Sequence, residues 1–130
     1  MSNFRVVSAV VTLVLCLAAA AQAADQPTVN APLEGAVLGP NYEITGSLAS
    51  RALVVVLTDA VYADTGLLLA TVPGIRHYTN EDGTFHFRCA SPRLLLGDET
   101  RTLTYRVRCF TLGANGETGP ETVVNCTAAR

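Results

Sequence analysis

The chain has 130 residues, of which 49% are hydrophobic and 15% are charged, and its formal net charge is −2. It contains nine basic residues, all of them arginine, against eleven acidic ones. A mildly acidic chain of this length has room for one domain, and its charge argues against nucleic acid or an anionic membrane surface as a partner.

Residues 1–23 have the pattern of a signal peptide. One positive charge, Arg5, precedes an apolar run, and the sequence Ala21-Gln22-Ala23 fits a signal peptidase site. The apolar run is shorter than the roughly 20 residues that a spanning helix needs. We therefore expect the domain 24–130 to be secreted, either extracellular or periplasmic, with no membrane insertion after cleavage. A retained membrane anchor is the alternative.

The rest of the chain shows strand patterns at short intervals, which is typical of all-β sandwiches. Predicted strands cover Gln26 to Gly35 (an edge strand that breaks at Ala31-Pro32), Asn41 to Ala49, Ala52 to Asp59, Leu67 to Val72, Gly83 to Ala90, Thr102 to Thr111 and Glu121 to Thr127. The third of these is apolar at both alternating positions, so we expect it to be central and covered on both faces. No segment shows a convincing helical period.

The acidic stretch Asn80-Glu81-Asp82-Gly83 is predicted to be a tight turn, because glycine adopts positive φ without steric cost. A calcium loop would need spaced ligands and a distal glutamate, whereas these acids are adjacent. The two histidines, His77 in a loop and His86 on an outward face, are expected to be solvated rather than paired on a metal. The sequence thus predicts no metal site and no cofactor.

Three cysteines, Cys89, Cys109 and Cys126, remain after signal cleavage. Alternation along the predicted strands places all three side chains on the inward side. In a sandwich, the strand that ends at Cys89 and the strand that ends at Cys126 finish at the same pole, which favours a Cys89–Cys126 disulfide. A hairpin centred near Glu117 would instead pair Cys109 with Cys126. Spacing alone does not decide the connectivity, and the absence of any bond is the third alternative.

Four stretches, PTVNAPLEGAVLG, YEITGSL, NEDGTFHF and YRVRCFTLGANGETGPETVV, resemble the bacterial Ig-like (Big-type) domains of secreted and surface proteins. Fibronectin type III domains are the nearest alternative within the same architecture. The resemblance implies an antiparallel Ig-like β-sandwich of about seven strands. Phe85 stands where the family more often has tryptophan, and the three cysteines are additional. Such a fold hosts many functions and does not by itself name one.

The sequence predicts a non-catalytic protein that binds another protein or a second copy of itself. It lacks a G-x-S-x-G elbow, and its paired carboxylates lie in predicted turns. The candidate interface combines arginine and aromatic side chains, as protein interfaces do. Its members are Arg106, Arg108, Phe110, Val123 and Asn125. Beside them lie the outward residues of the central strand, which are either Val54 and Val56 or Val55 and Leu57. Alternatively, the segment Ala60 to Gly74 folds over these outward apolar residues and buries them.

Two other binding functions stay open. A carbohydrate-binding module would need an exposed aromatic platform, but the chain has no tryptophan and its tyrosines are scattered along the sequence. A protease inhibitor would use an exposed loop such as PGIRHYTN, where Arg76 could enter a protease pocket. Asn125 also begins an Asn-Cys-Thr sequon, which would matter only in a eukaryotic host.

Overall fold

The structure, a computed structural model, describes residues 25–92 and 102–129. The predicted signal peptide, 1–23, lies outside the described residues. Within them the chain forms eight strands and no helix: β1 (Thr28–Ala31), β2 (Val37–Leu38), β3 (Asn41–Ser47), β4 (Leu53–Tyr62), β5 (Leu68–Tyr78), β6 (Thr84–Ala90), β7 (Leu103–Thr111) and β8 (Thr122–Ala128). The described part of the chain therefore contains no helix that could cross a membrane.

The strands form two sheets, which confirms the all-β prediction. Sheet A has three antiparallel strands in the order β1-β3-β6, and sheet B has five in the order β2-β8-β7-β4-β5. The chain leaves sheet A after the cis Ala31-Pro32 bond and joins sheet B at Val37, which pairs in parallel with Thr127. Sheet B is therefore mixed and not purely antiparallel as predicted, and the described residues contain eight strands instead of about seven.

One hydrophobic core lies between the sheets. Because side chains alternate along a strand, every second residue faces inward. Sheet A contributes residues such as Ile44 and Phe85, and sheet B contributes Val56 and Val107, each of them at most 4% exposed. The Tyr42 hydroxyl and the Thr58 hydroxyl, on opposite sheets, lie 2.5 Å apart and form a polar link through this core.

Strands β4 and β5 differ most from the prediction. The expected strand end at Asp59 lies inside β4, and the expected end at Val72 lies inside β5. Strand β5 continues through Pro73, which is tolerated because β5 is at the edge of its sheet. The segment Ala60 to Gly74 thus forms a hairpin that extends sheet B sideways, so the alternative in which it folds over the sheet is wrong.

The turn at Asn80–Gly83 is confirmed. Gly83 has a φ of 88° and its N–H donates to the Asn80 carbonyl at 3.0 Å. The Asp82 carboxylate accepts hydrogen bonds from the Thr84 N–H at 3.0 Å and the Thr84 hydroxyl at 2.7 Å. A side chain at position 83 would place its Cβ 2.1 Å from the Leu48 carbonyl oxygen, so both space and φ require glycine here.

Candidate protein-binding face

The outer face of sheet B, called the B face below, is the surface of β8, β7, β4 and β5 that points away from the core. The strand register arranges it in three rows: Asn125, Arg106, Asp59 and Thr71; then Val123, Arg108, Leu57 and Pro73; then Phe110, Val55 and Arg76. All five residues of the predicted interface therefore lie on one face. Of the two predicted pairs of outward residues on the central strand, Val55 and Leu57 are the pair that lies on this face.

The centre of the B face is a buried ion-pair cluster around Asp59, whose side chain is only 1% exposed. Arg106 Nε donates to Asp59 Oδ2 at 2.9 Å, and Arg106 Nη2 lies 2.8 Å from the same oxygen. Arg108 Nη2 donates to Asp59 Oδ1 at 3.2 Å. The Thr71 hydroxyl donates to Asp59 Oδ1 at 2.6 Å. Strands β4, β5 and β7 thus each contribute to one cluster.

The second contact of Arg108 is ionic rather than hydrogen-bonded. Its Nε lies 2.9 Å from Asp59 Oδ2, but the N–H is not aligned with the oxygen and has no hydrogen-bond partner. Arg108 Nη1 also lies 3.5 Å from Glu121 Oε2, which is long for a hydrogen bond. Arg106 and Arg108 and the two carboxylates, Asp59 and Glu121, therefore balance in charge at the centre of the face, whereas Arg76 adds one exposed positive charge in the third row.

Burial by itself would raise the pKa of Asp59, because it disfavours the charged form. The hydrogen bonds from Thr71, Arg106 and Arg108, together with the charge of Arg108, outweigh burial and hold the pKa of Asp59 below its usual range. The carboxylate is therefore charged at neutral pH, and it offsets one of the two positive charges of the arginines that flank it.

Asp59 is not among the predicted site residues. The sequence predicts that a strand ends there, since aspartate is depleted in strands and often stands in turns. The strand continues to Tyr62 because β4 pairs with β7 up to Leu103. Val55, Leu57 and Asp59 alternate on one side of β4, and Asp59 and Leu57 lie opposite Arg106 and Arg108 on β7. This pattern would indicate the ion-pair cluster only to a reader who knew the register between the two strands, which are distant in sequence.

Apolar side chains surround the ion-pair cluster. Val123 is 40% exposed and Phe110 is half-buried. Among the described residues, no strand of the two sheets packs over this face, and β4 is therefore half-exposed there instead of covered on both sides as predicted. Its outward residues Leu53, Val55 and Leu57 remain partly accessible.

The outer face of sheet A has a different composition. Its β3 and β6 positions are polar, with Glu43, Thr45, His86 and Arg88 outward. His86 Nε2 lies 3.2 Å from Glu43 Oε2 on this face, and both side chains are more than 60% exposed. Such a pair contributes little stability. Of the two sheets, only sheet B therefore combines an apolar outer surface with a buried charge cluster.

Cys89, Cys109 and Cys126 are buried free thiols, so neither predicted disulfide is formed in the structure. Cys126 is opposite Tyr105, four residues along β7 from Cys109. Four residues of strand span about 13 Å, which is too far for a Cys109–Cys126 bond. Burial raises the pKa of Cys109 to about 12 and raises that of Cys89 and Cys126 as well. At neutral pH these groups are protonated and poorly reactive.

An open pocket of about 440 Å³ lies between the end of β5 and β6. It is lined by both histidines, so His77 and His86 share a site that the sequence did not predict, and His77 lies in a strand instead of a loop. The His77 Nδ1 atom lies 2.7 Å from the Tyr78 carbonyl oxygen. Within residues 25–92 and 102–129, no group of three or more His, Cys, Asp or Glu side chains could hold a metal ion.

The aromatic rings at this pocket contact other side chains. Phe85 and Phe87 stack with centroids 5.4 Å apart, and His77 packs on Phe87 at 5.8 Å. The Arg51 guanidinium lies 4.8 Å from the centre of the Tyr78 ring. The pocket therefore does not present a flat, unoccupied aromatic platform.

No protein-family model matches the chain, and no curated protein sequence matches it.

Proposed function

We propose that this chain is a secreted, non-catalytic Ig-like β-sandwich domain that binds a partner protein, at or outside the cell surface, through the B face. The observation that carries the proposal is the composition of that face: an apolar surface whose central charges neutralise one another. Protein interfaces have this character, with arginine and aromatic residues enriched and unpaired charges depleted in their buried part.

The strand arrangement supports an Ig-like sandwich. In Ig domains the third, sixth and seventh strands share one sheet, and the first, second and fifth belong to the other. Here β4, β7 and β8 share sheet B, while β1, β3 and β6 form sheet A. The short β2 and the edge strand β5 are additions to sheet B. This arrangement comprises two sheets with one shared core, which is the common element of Ig-like and fibronectin type III domains.

The ion-pair cluster makes partner binding less costly. Removing a charge from water is expensive unless the charge is already paired and hydrogen-bonded. Asp59 is already buried, and Arg106 and Arg108 have side chains only 39% and 27% exposed. A partner that covers the centre of the B face therefore has to desolvate little further charge there. Phe110 and Val123 supply the apolar contacts that stabilise such a complex.

The alternatives have less support. The aromatic rings of the pocket are stacked or covered by Arg51, which disfavours sugar stacking. Arg76 lies within β5 opposite Val55, whereas an inhibitor needs its arginine on a protruding loop.

Asn125 has an exposed side chain, and its glycosylation in a eukaryotic host stays a prediction.

The test compares the wild-type chain with a Phe110→Ser/Val123→Ser variant. Each is immobilised and exposed to secreted and envelope proteins of the producing organism, and the captured partner is then purified for titration. We expect the dissociation constant to rise at least tenfold, because central aromatic and apolar contacts carry much of the binding energy. The matched control, His86→Ser/Arg88→Ser on the outer face of sheet A, should bind as the wild type does.

Equal binding by the face variant and the wild type would overturn the proposal. Screening the same proteins against glycans and secreted proteases separates the two alternatives, since each predicts binding in one screen only. Arg106→Glu is unsuitable as a test variant, because it would place a second carboxylate against buried Asp59 and destabilise the fold.

A further inference from the structure

Strand β6 forms one edge of sheet A, and its pairing with β3 is regular. The register between the two strands runs without a bulge over all seven residues of each. Hydrogen bonds at both ends of the ladder fix which residues pair. The Leu48 N–H donates to the Gly83 carbonyl at 2.9 Å, and the Ser91 N–H donates to the Pro40 carbonyl at 2.9 Å. Gly83 and Ser91 therefore belong to the set of residues whose main chain points towards β3.

The other set of β6 residues points away from β3. Because hydrogen-bonded and non-hydrogen-bonded positions alternate in an antiparallel pair, Phe85, Phe87 and Cys89 pair with β3. The N–H and C=O groups of His86 and Arg88 therefore point out of sheet A, and within the described residues they have no hydrogen-bond partner. The edge thus presents two donors and two acceptors in the spacing that an added strand uses.

A cleft runs along this edge, because the two sheets differ in width. Sheet B has five strands and sheet A has three, so the inner side of β5 is poorly covered. His77 is opposite the buried Val54, on the inner side of its sheet, and yet it is exposed. The pocket of about 440 Å³ lies here, with Ile75, Phe85 and Phe87 among its walls. A fourth strand added to sheet A at β6 would cover this cleft and direct every second side chain into it.

The cleft is bounded at both ends, which limits the length of an added strand. At one end, the Asn80 N–H donates to the Thr84 carbonyl at 2.9 Å. At the other end, the register of β5 shifts opposite Val56, and a Cβ at Gly74 would lie 3.9 Å from Cys89 Sγ. Between these contacts there is length for about five extended residues at a rise of about 3.3 Å each.

The side chains of β6 favour an acidic residue in the added strand. Arg88 is opposite Glu43 in the register, but Glu43 Oε2 lies 3.2 Å from His86 Nε2. Arg88 forms no ion pair with any described residue. No acidic side chain lines the pocket. Because side chains of opposite charge on neighbouring strands attract each other, an acidic residue beside Arg88 complements this edge.

We propose that the β6 edge binds an extended segment of another protein, which adds a fourth strand to sheet A. The segment directs an apolar side chain between Ile75 and Phe87 and an acidic side chain towards Arg88. Main-chain hydrogen bonds to His86 and Arg88 supply affinity and the pocket selects the side chain, as in other cases of strand addition. The exposed His77 ring, which packs on Phe87 at 5.8 Å, turns aside, since interface side chains commonly change rotamer on binding. This inference does not depend on the B face binding a partner.

The first experiment follows amide hydrogen exchange of the processed chain by NMR, with the peptide acetyl-Thr-Glu-Phe-Glu-Thr-amide as the probe. The peptide has an apolar residue between two acidic ones, so it fits β6 in either strand direction. In the free chain, His86 and Arg88 should exchange fast, whereas Phe85, Phe87 and Cys89 should be protected. Peptide at about ten times its dissociation constant should slow exchange at His86 and Arg88 about tenfold.

Two results would overturn the proposal. One is unchanged exchange at His86 and Arg88 with the peptide present up to about 5 mM, beyond the millimolar range of weak association. The other is protection of both amides before any peptide is added, because the edge would then be covered already. Protection that rises with protein concentration would show that a second copy occupies the edge.

The second experiment removes one donor of the edge. His86→Pro deletes an N–H that points away from β3, so the β3–β6 ladder stays intact, as it does where proline stands on natural edge strands. His86→Ser is the matched control, because it loses the same side chain but keeps the N–H. We expect the peptide's dissociation constant to be at least tenfold higher for His86→Pro than for His86→Ser. Equal affinities, in variants with equal thermal midpoints, would contradict strand addition.

The third experiment exchanges charges and leaves the main chain of β6 unchanged. Arg88→Glu should weaken binding of the glutamate peptide at least tenfold, and it should bind acetyl-Thr-Lys-Phe-Lys-Thr-amide more tightly than the wild type does. Arg88 is exposed, so the substitution should leave the fold stable. Equal affinity of Arg88→Glu and the wild type for both peptides would show that Arg88 does not select the added strand.

The two proposals fail separately. Phe110→Ser/Val123→Ser should bind the glutamate peptide as the wild type does, and His86→Pro should leave the affinity of a partner for the B face unchanged. Peptide binding that is lost in the face variant but retained in His86→Pro would place the peptide on the B face, which would overturn the strand-addition inference.

Discussion

At the scale of single residues, Asp59 decides the character of the B face. Without its carboxylate, Arg106 and Arg108 would bring two positive charges together on β7, two residues apart on one side of the strand. With it, both arginines are held in place by contacts of 2.8 to 3.2 Å. Asp59 thus offsets one of these two positive charges and Glu121 offsets the other, which matters for any partner that covers them.

This cluster predicts how stability depends on pH. The pKa of Asp59 is lowered in the folded chain, so its contribution is present above the unfolded value of about 3.9 and is lost as pH falls through the lower folded value. Asp59→Asn should lower the free energy of unfolding at pH 7 by about 1.5–3 kcal/mol, the range for hydrogen bonds to charged groups. It should also make the loss of stability below about pH 4 shallower.

The measurement is urea denaturation of both proteins between neutral and acidic pH. Asp82→Asn is the control, because Asp82 also has a lowered pKa from its Thr84 hydrogen bonds but is exposed in a turn. We expect a smaller change from this control. An acid profile that is identical in Asp59→Asn and the wild type would show that the cluster does not stabilise the fold.

At the scale of elements, β3 is held between β1 and β6 by a close approach at Gly46. A Cβ at this position would lie 2.1 Å from the Thr28 carbonyl oxygen and 2.5 Å from the Phe85 ring. Gly46 is opposite Phe85 in the register, so the ring packs where a side chain would otherwise be. Tyr42, Ile44 and Gly46 are the buried alternating positions of β3, but only the packing explains why position 46 must be glycine.

Gly46→Ala should therefore destabilise the protein by about 1–3 kcal/mol or more, because overpacking forces β1 or the Phe85 ring to move. Gly39→Ala is the matched control, since its nearest neighbour would be 4.0 Å away. We expect the control to change stability by less than about 0.5 kcal/mol, as substitutions away from tight packing usually do. Thermal unfolding followed by circular dichroism measures both, and equal midpoints would contradict the tight packing of β1 on β3.

At the scale of the whole molecule, the three thiols report on the contact between the two sheets. Cys89 belongs to sheet A, whereas Cys109 and Cys126 belong to sheet B, and all three are at most 2% exposed. A reagent reaches them only when the sheets separate. Their raised pKa values further slow reaction, because the thiolate is the reactive form.

We therefore expect iodoacetamide at about pH 8 to leave the folded chain unmodified, since a thiol with a raised pKa is mostly protonated there. After unfolding without reductant, the processed chain 24–130, which lacks Cys16, should add three groups, counted by mass spectrometry. An Asn115→Cys variant provides the control, because its exposed thiol should react at once in the folded state. A single addition to the unfolded wild-type chain would contradict three free thiols and would show that two of them are joined in a disulfide.

Most of the strands and the membership of the B face followed from the sequence by itself. Strict alternation in β6 and β7 predicted that Phe85 and Val107 face inward and that Arg106 and Phe110 face outward, because the period of a strand is two regardless of its neighbours. The Asn80–Gly83 turn was also predictable, since it depends on local backbone chemistry.

The tertiary structure decided what depends on pairing between distant segments. Asp59 lies within a strand only because β7 continues alongside it, and β5 passes Pro73 only because it is at an edge. The distance between Cys109 and Cys126 follows from the register of β7 with β8, which spacing along the chain does not determine. Alternation is a property of one strand, whereas register, sheet order and the ion pairs across strands arise from packing in three dimensions.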